Sequence, residues 1–443
     1  MRRRRVLALL PFVLAGCSNR QGSTTDVPSS PSASATAVTT ETNSSANANS
    51  NSNADPGSSD GPPSYVFIDE LGFRVRQRRV ENGTEPFAAG YEDLVGRADD
   101  ALDVPLQSVV DDDNDNYGPH RFEADTNDRA DYRAGLGMSA AARDCALVYR
   151  FTGEAEYAER VVDILHHWFL ADATYMEPNS VIPNASGAIR QHIWVPSFVY
   201  AAAFVRDHPH WDTYDGSRPW DDGQSAGAEA AFGQWLVDWH DTFPDSRPEW
   251  CPTNNRWAWR IANKAAVAAY LGNGSLMELA KRMYTAEAET TCPDGSTEKP
   301  RPWDDYVSVS EDTGYFNAER GRENAFQYTG YNLLGHAMCC TAFDVWDGTD
   351  LWNFNAPTDP TPGSTLWKAF NWYLPYVRNT STWQWNQTGI SDGDIEQAAA
   401  AYELAYARWN DFEEGIDSPD RIGVRPHTDR RILGPITLTH GEY

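Results

Sequence analysis

Apolar residues in this chain recur at the period of an α-helix almost throughout, and they do so in pairs of segments. In "EYAERVVDILHHWF", Tyr157, Val161, Leu165 and Trp168 fall at i, i+4, i+8 and i+11. A helix from about Met138 to Phe151 precedes them and is stopped by Thr152-Gly153. Two amphipathic helices across so short a break form an αα-hairpin. In "AEAAFGQWLVDWHDTF", Ala228, Phe232, Trp235, Leu236 and Trp239 make another stripe. "NRWAWRIANKAAVAAYLGNGS" ends at Gly272-Asn273-Gly274, and "LMELAKRMYTAEAE" returns. "YTGYNLLGHAMCCTAFDVW", "TLWKAFNWYLPYV" and "DIEQAAAAYELAYARW" follow. Strand-like alternation is scarce before the C-terminal "RRILGPITLTH". The expected class is all-α: helical hairpins side by side, curling into an incomplete (α/α) toroid with a short extended C-terminal segment. Inner-helix ends would then line a central cleft.

The ends set the surroundings. Arg2 to Arg5 precede a short apolar run, Val6 to Ala15, and Leu14-Ala15-Gly16-Cys17 puts small residues before a cysteine. This reads as a secretory signal, too short to span a bilayer as a helix. It resembles a lipobox, with cleavage before Cys17 and a lipid on its thiol, and the arginines also suit twin-arginine export. Residues 18–63 are nearly all Ser, Thr, Asn, Ala, Asp, Gly and Pro. They can bury almost nothing and read as a disordered tether. Residues 64–443 are expected to form one domain, exported, membrane-anchored and facing the cell exterior.

Composition narrows the partners. The net charge is −28, from 64 acidic and 36 basic residues, and the only lysines are Lys264, Lys281, Lys299 and Lys368. Such a surface resembles those of proteins from salt-loving microbes. No basic patch is available to neutralise phosphates, so nucleic acid is not an expected partner. The six cysteines include no Cys-x-x-Cys pair, which argues against a zinc site. Export would allow Cys251 to pair with Cys292; failing that, the cysteines are small buried hydrophobes. "DDDNDNYG" has a calcium loop's alternating oxygens, but Asn116 replaces the glycine and Phe122 the final glutamate, so it reads as a solvated acidic loop. No metal or cofactor is called for.

Two stretches carry candidate chemistry. In "CPTNNRWAWRIANKAA" a helix starting near Asn255 puts Trp257, Ile261, Ala265 and Ala269 on one face. Arg256, Arg260, Asn263 and Lys264 fall on another. The plain reading is a capped helix with packed tryptophans and a solvated basic stripe. The functional reading is that amides and a guanidinium at its start receive a carboxylate. In "AERGRENAFQYTGYN", Glu319, Arg322 and Glu323 could form a surface ion-pair cluster. Tyr328 and Tyr331 follow. In one straight helix Arg322 and Tyr328 would point about 240° apart, so for both to face a cleft Arg322 must lie in a loop or at a bend.

These stretches resemble the alginate lyase family, toroid-forming polysaccharide lyases related to polysaccharide lyase family 5. "LVYRFTGEAEYAERVVDILHHWF" resembles its first hairpin and "YMEPN" its Met-x-Pro-Asn turn. "NNRWAW" resembles its Asn-Asn-His-x-x-Trp helix start, "ERGREN" with the following tyrosine its Glu-x-x-Arg stretch, and "GTDLW" its Gly-x-Asp-Leu-Trp turn. The five occur in the family's order between about Asp131 and Arg378.

The resemblance implies β-elimination at a uronic acid. The C5 proton is abstracted, the C4–O4 bond breaks, and an unsaturated sugar remains. The enolate-like intermediate needs its carboxylate neutralised, a base for the C5 proton and an acid for O4. Carried over, Asn255 and Arg256 bind the carboxylate, Arg322 assists, and Tyr328 is base, acid or both, its phenolate favoured by nearby arginines. Asn254, Trp257, Arg190, Glu319 and Tyr331 are the expected substrate-binding residues. The chain departs from the pattern at Arg256, where many members have histidine, and arginine cannot act as a base near neutral pH. His192 in "GAIRQHIWVPSF" is the substitute candidate. The expected partners are an acidic polysaccharide and, through the lipid, a membrane, with the chain acting as a monomer. Two other readings stand beside this one. One is a non-catalytic glycan-binding lipoprotein. The other is a toroid glycoside hydrolase, which needs two carboxyls across the cleft, with Glu319 and Glu249 available.

Overall fold

In a computed structural model, the structure describes residues 65–111, 119–122, 130–178, 185–242, 255–288, 290–291, 297–298, 302–303, 306–307, 313–387, 389–409, 422, 425–429 and 431–441. The helices are α1 (Glu70–Glu81), α2 (Phe87–Asp103), α3 (Ala130–Thr152), α4 (Ala155–Phe169), α5 (Ala185–Phe204), α6 (Ala228–Thr242) and α7 (Asn255–Leu271). Then come α8 (Gly274–Tyr284), the one-turn α9 (Asn317–Arg320), α10 (Ala325–Asp347), α11 (Thr365–Val377), α12 (Asp392–Arg408) and α13 (Ile436–His440). Strand among the described residues is confined to two-residue antiparallel pairs, such as Tyr306–Val307 with Tyr315–Phe316. None of the described helices is long and apolar enough to cross a membrane.

Local sequence accounts for the hairpins. Gly153 adopts φ +74° between α3 and α4, and Gly272 φ +64° between α7 and α8. Side-chain-bearing residues adopt this left-handed conformation only at a cost, so a glycine there reverses the chain cheaply. Asn273 then caps α8 by accepting from Leu276 N–H. The stripes read from the sequence are the buried faces: Tyr157, Val161, Leu165 and Trp168 on α4, and Phe232, Trp235, Leu236 and Trp239 on α6.

Packing sorts the helices into two sets. α3 lies against α2 and α5, α5 against α7, α7 against α10, and α10 against α12. α4 backs α3 and α5, α6 backs α7, α8 backs α7, and α11 backs α10 and α12. On α10 every residue from Thr329 to Cys340 is buried. That is more than three turns with no side to solvent, as an inner helix requires.

The C-terminal segment differs from expectation. It is a tight turn, bridged between Asp429 and Gly434, that leads into α13. The Asp429 carboxylate receives the N–H groups of Ile432 and Leu433 at 3.0 and 2.8 Å, which holds the turn and turns the chain out of an extended path. α13 packs against α12 on one side and α1 and α2 on the other, joining the last inner helix to the first two helices. The buried Arg425 guanidinium pairs with the buried Glu403 of α12, Nε to Oε1 at 2.9 Å, and Thr437 Oγ1 also donates to Glu403.

Cys145, Cys339 and Cys340 are free and buried, as small apolar residues should be. Cys17, Cys251, Cys292, residues 112–118 of the acidic loop, Glu249 and the tether lie outside the described residues.

Candidate active site

The site begins with a shortage of acceptors. The N–H groups of a helix's first turn have no partner inside the helix. At the start of α7, Asn255 offers two donors in a buried position. Both go to one oxygen: Glu319 Oε1 receives the Asn255 backbone N–H at 2.9 Å and its side-chain Nδ2 at 2.7 Å. A carboxylate at this end also meets the positive end of the helix dipole. Glu319 is therefore not part of a surface ion-pair cluster; its side chain is 0% exposed.

Glu319 sits on α9, and the chain then turns through Gly321–Asn324 into α10. Arg322 lies in that turn, which is the bend the sequence demanded. Its Nη1 is 3.6 Å from Glu319 Oε2, and its Cζ is 3.5 Å from the Tyr328 ring centroid in the first turn of α10. A guanidinium in face contact with a phenol is held by the ring quadrupole. Burial pushes the Glu319 carboxyl above its ordinary value; the Asn255 N–H, the Arg322 charge, the Asn255 side chain and the Arg256 charge pull the other way. Arg256, half-buried, is thus close enough to act on the same carboxylate.

Asn255, Arg256, Glu319, Arg322 and Tyr328 therefore converge from the starts of α7 and α10, from α9 and from the turn between α9 and α10. Two of the expected binding residues, Trp257 and Tyr331, are instead buried. Trp257 is buried beneath the Arg260 guanidinium, 4.9 Å from its ring centroid. Tyr331 is buried, stacked on Trp259 at 4.5 Å, with Arg431 over its ring at 4.3 Å. Burial raises the Tyr331 phenol well above its ordinary pKa, so it stays neutral. The side chains of Arg190 and His192, on α5 beside α7, and all of Asn254 lie outside the described residues.

The basic stripe of α7 is not solvated. Arg260, Asn263 and Lys264 are 4%, 2% and 4% exposed. α5, α6, α8 and α10 surround α7, and two of its polar side chains bond inside. Asn263 Nδ2 donates to Trp259 O at 3.0 Å, and Lys264 Nζ meets His240 Nε2.

Two features escaped the sequence reading. Arg431 arrives on Tyr331 from 100 residues along the chain, for which no local signal exists. Trp383 and Trp385 in "STWQW" carried a signal, since paired indoles in a polar, non-periodic stretch have no helix face to fill.

The arrangement can hold an anion between an amide and guanidinium groups while presenting a phenol hydroxyl beside it. Comparisons with known proteins bear on what that anion is. The family model described as Alginate lyase matches residues 88–383. Among solved structures, an alginate lyase from Bacteroides ovatus is similar over 86% of this chain and 100% of that one, with TM-score 0.64 and 19% identity. Alginate lyase A1-III from Sphingomonas species A1 is similar over 86% of this chain and 97% of that one, with TM-score 0.53 and 18% identity. A variant of that enzyme complexed with a tetrasaccharide is similar over 88% of this chain and 96% of that one, with TM-score 0.53 and 18% identity. At these identities the structures speak for the (α/α) toroid fold. No curated protein matches in sequence.

Proposed function

The chain belongs to the alginate lyase family and is a polysaccharide lyase, and from that premise we propose that the space between Asn255, Arg322 and Tyr328 performs β-elimination on a uronic acid polymer, alginate being the first substrate to test. One observation carries the reading: the Arg322 guanidinium lies 3.5 Å from the Tyr328 ring while Glu319 locks Asn255 beside them.

In this reading the substrate carboxylate accepts from Asn255 Nδ2, whose second hydrogen Glu319 leaves unused, and from Arg256. Neutralising it lowers the barrier to removing the α-proton, because charge develops there in the transition state. Tyr328 Oη takes the C5 proton. The electron pair of the C5–H bond becomes the C4=C5 double bond, the C4–O4 bond breaks, and O4 leaves with a proton. Arg256 is a fixed cation and cannot exchange protons here, so Tyr328 supplies that proton as well. Arg322 holds a positive charge against the ring through both transfers. A single group working on one face requires the C5 hydrogen and O4 to be syn. Mannuronate and glucuronate have that configuration; guluronate does not.

The test is absorbance of the conjugated double bond during incubation with mannuronate-, guluronate- and glucuronate-rich polymers at high salt. The expected outcome is a rise with a syn-configured polymer, and a loss of about 10²–10⁴-fold in kcat in Tyr328→Phe. Reducing ends without absorbance would move the reading to a hydrolase. No product of either kind would favour a binding protein, the reading that Arg256 in place of histidine supports.

We also propose export, lipidation at Cys17, action as a monomer and a salt-adapted surface. The leader, the tether and the −28 charge support these. Cys17→Ser should release the protein from the membrane fraction into the medium, and retention of that variant would remove the anchor from the proposal. Elution on size exclusion at the size of a dimer would remove the monomer. At molar salt the screening length falls to about 3 Å. Cleft arginines would then decide binding of a polyanion, and the distant acidic surface would hardly be felt.

A further inference from the structure

Beside the site stands a strip of aromatic rings that the elimination chemistry does not use. The stretch 381–387 is fixed against the first turn of α10. Ala325 N–H donates to Asn386 O at 3.0 Å and Phe326 N–H to Gln387 Oε1 at 3.1 Å. That turn carries Tyr328. Trp383 turns inward onto Phe326 at 5.3 Å and packs against the core. Trp385 meets the Trp383 ring edge-on at 5.0 Å. It stacks on Trp372 of α11, centroids 5.0 Å apart and planes at 21°, and meets Tyr315 edge-on at 5.2 Å. Trp372, Trp385 and Tyr315 are half-buried, and neither Trp385 nor Tyr315 packs against the core. The exposed Arg320 donates from Nη1 to Tyr315 Oη at 3.0 Å and lies 5.1 Å from its ring centroid.

Large rings held by other rings in front of the core contribute little to the fold's interior. They do present flat apolar faces that water solvates poorly. The C–H faces of pyranose rings match such surfaces. A uronate also carries a carboxylate on each unit, and Arg320 puts a cation at the edge of the strip. The strip is tied to the reaction centre through the chain: Tyr315 and Arg320 belong to the segment that carries Glu319, and the 381–387 stretch pins the turn that carries Tyr328. Trp385 lies just past the end of the family match at residue 383.

We propose that Trp385, Trp372, Tyr315 and Arg320 form a distal subsite that binds a further uronate unit of the polymer undergoing cleavage. The proposal rests on the lyase reading of the site. The subsite lengthens the grip on the chain, so longer substrates gain affinity from it and the shortest do not.

The experiment compares wild type, Trp385→Ala, Trp385→Phe and Arg320→Gln in the full chain. Elimination rates are read on size-fractionated oligouronates and on the polymer. Retardation in gels containing the polymer is read in a Tyr328→Phe background, where turnover does not interfere. Trp385→Ala should lower kcat/KM on the polymer about 10-fold, the loss of one stacking contact. The loss should lie in KM, with kcat moving less than about 2-fold, and the gain in kcat/KM with chain length should flatten. Trp385→Phe should keep most of the gain, and Arg320→Gln should lose part of it. Unchanged length dependence and retardation in Trp385→Ala would overturn the subsite. So would an equal fall in Tm in both the Ala and Phe variants, which would make the ring structural. Should wild type eliminate from no uronic polymer, the lyase reading fails by itself. The gels then decide the subsite: retardation lost in Trp385→Ala supports it, and no retardation of any form overturns it.

Discussion

A single carboxylate organises the site. Glu319 Oε1 takes two hydrogens from Asn255, and Oε2 faces Arg322. Glu319→Gln keeps one acceptor but offers an amide N–H₂ where the second oxygen was, either to the Arg322 guanidinium or to Asn255. One of the two is then repelled. The expected result is a fall in kcat of about 10²-fold with little change in KM, because displacement of about 1 Å in a catalytic group costs that much. Glu319→Ala should also destabilise the fold by about 1–3 kcal/mol, since two buried donors lose their acceptor. Urea unfolding checks the second and steady-state kinetics the first; a Gln variant with wild-type kcat would remove Glu319 from the positioning of Asn255. The residue types around this carboxylate were legible in sequence, because amides, arginines and a tyrosine cluster in two short stretches. Its burial was not. An "ERGREN" run looks like surface until another helix's start turns out to face it.

At the scale of elements, the inner helices approach closely where a side chain is missing. A Cβ on Gly135 of α3 would lie 2.8 Å from the Trp194 ring of α5, which is itself 0% exposed. Gly135→Ala gains about 1 kcal/mol of helix propensity. It also forces a fixed indole to move, and overpacking costs about 1–3 kcal/mol. The overlap should win, giving net destabilisation of about 1 kcal/mol in urea unfolding. A stabilised variant would mean that α3 and α5 can separate freely. Period and turn glycines had already marked these helices as hairpins. They could not rank them as inner or outer, because the basic stripe of α7 reads as solvated until α5, α6, α8 and α10 are packed around it.

For the whole molecule, the decisive contact is the return of the C-terminus. Arg425 is 9% exposed and Glu403 0%, and their pairing ties the last segment to α12. Arg425→Ala would leave Glu403 buried and charged, at a cost of about 3–5 kcal/mol. A large loss of Tm is expected, with recovery in the double variant Arg425→Met, Glu403→Met. A small loss from Arg425→Ala would mean that the ring holds without its seal.

Sequence by itself determined the all-α class, the hairpins, the apolar faces they bury and, through the family resemblance, the short list of groups able to manage an acidic sugar. The class, the hairpins and the buried apolar faces follow from spacing within about twenty residues, where the chain's geometry is fixed by helix period and turn chemistry; the roles of the site groups came from the resemblance to the alginate lyase family. Tertiary structure decided which of those groups meet. Asn255 and Glu319 are 64 positions apart, Tyr331 and Arg431 100, and no local rule couples them. Their pairing depends on burial, which makes an unpartnered donor or charge costly only once the surrounding helices have excluded water.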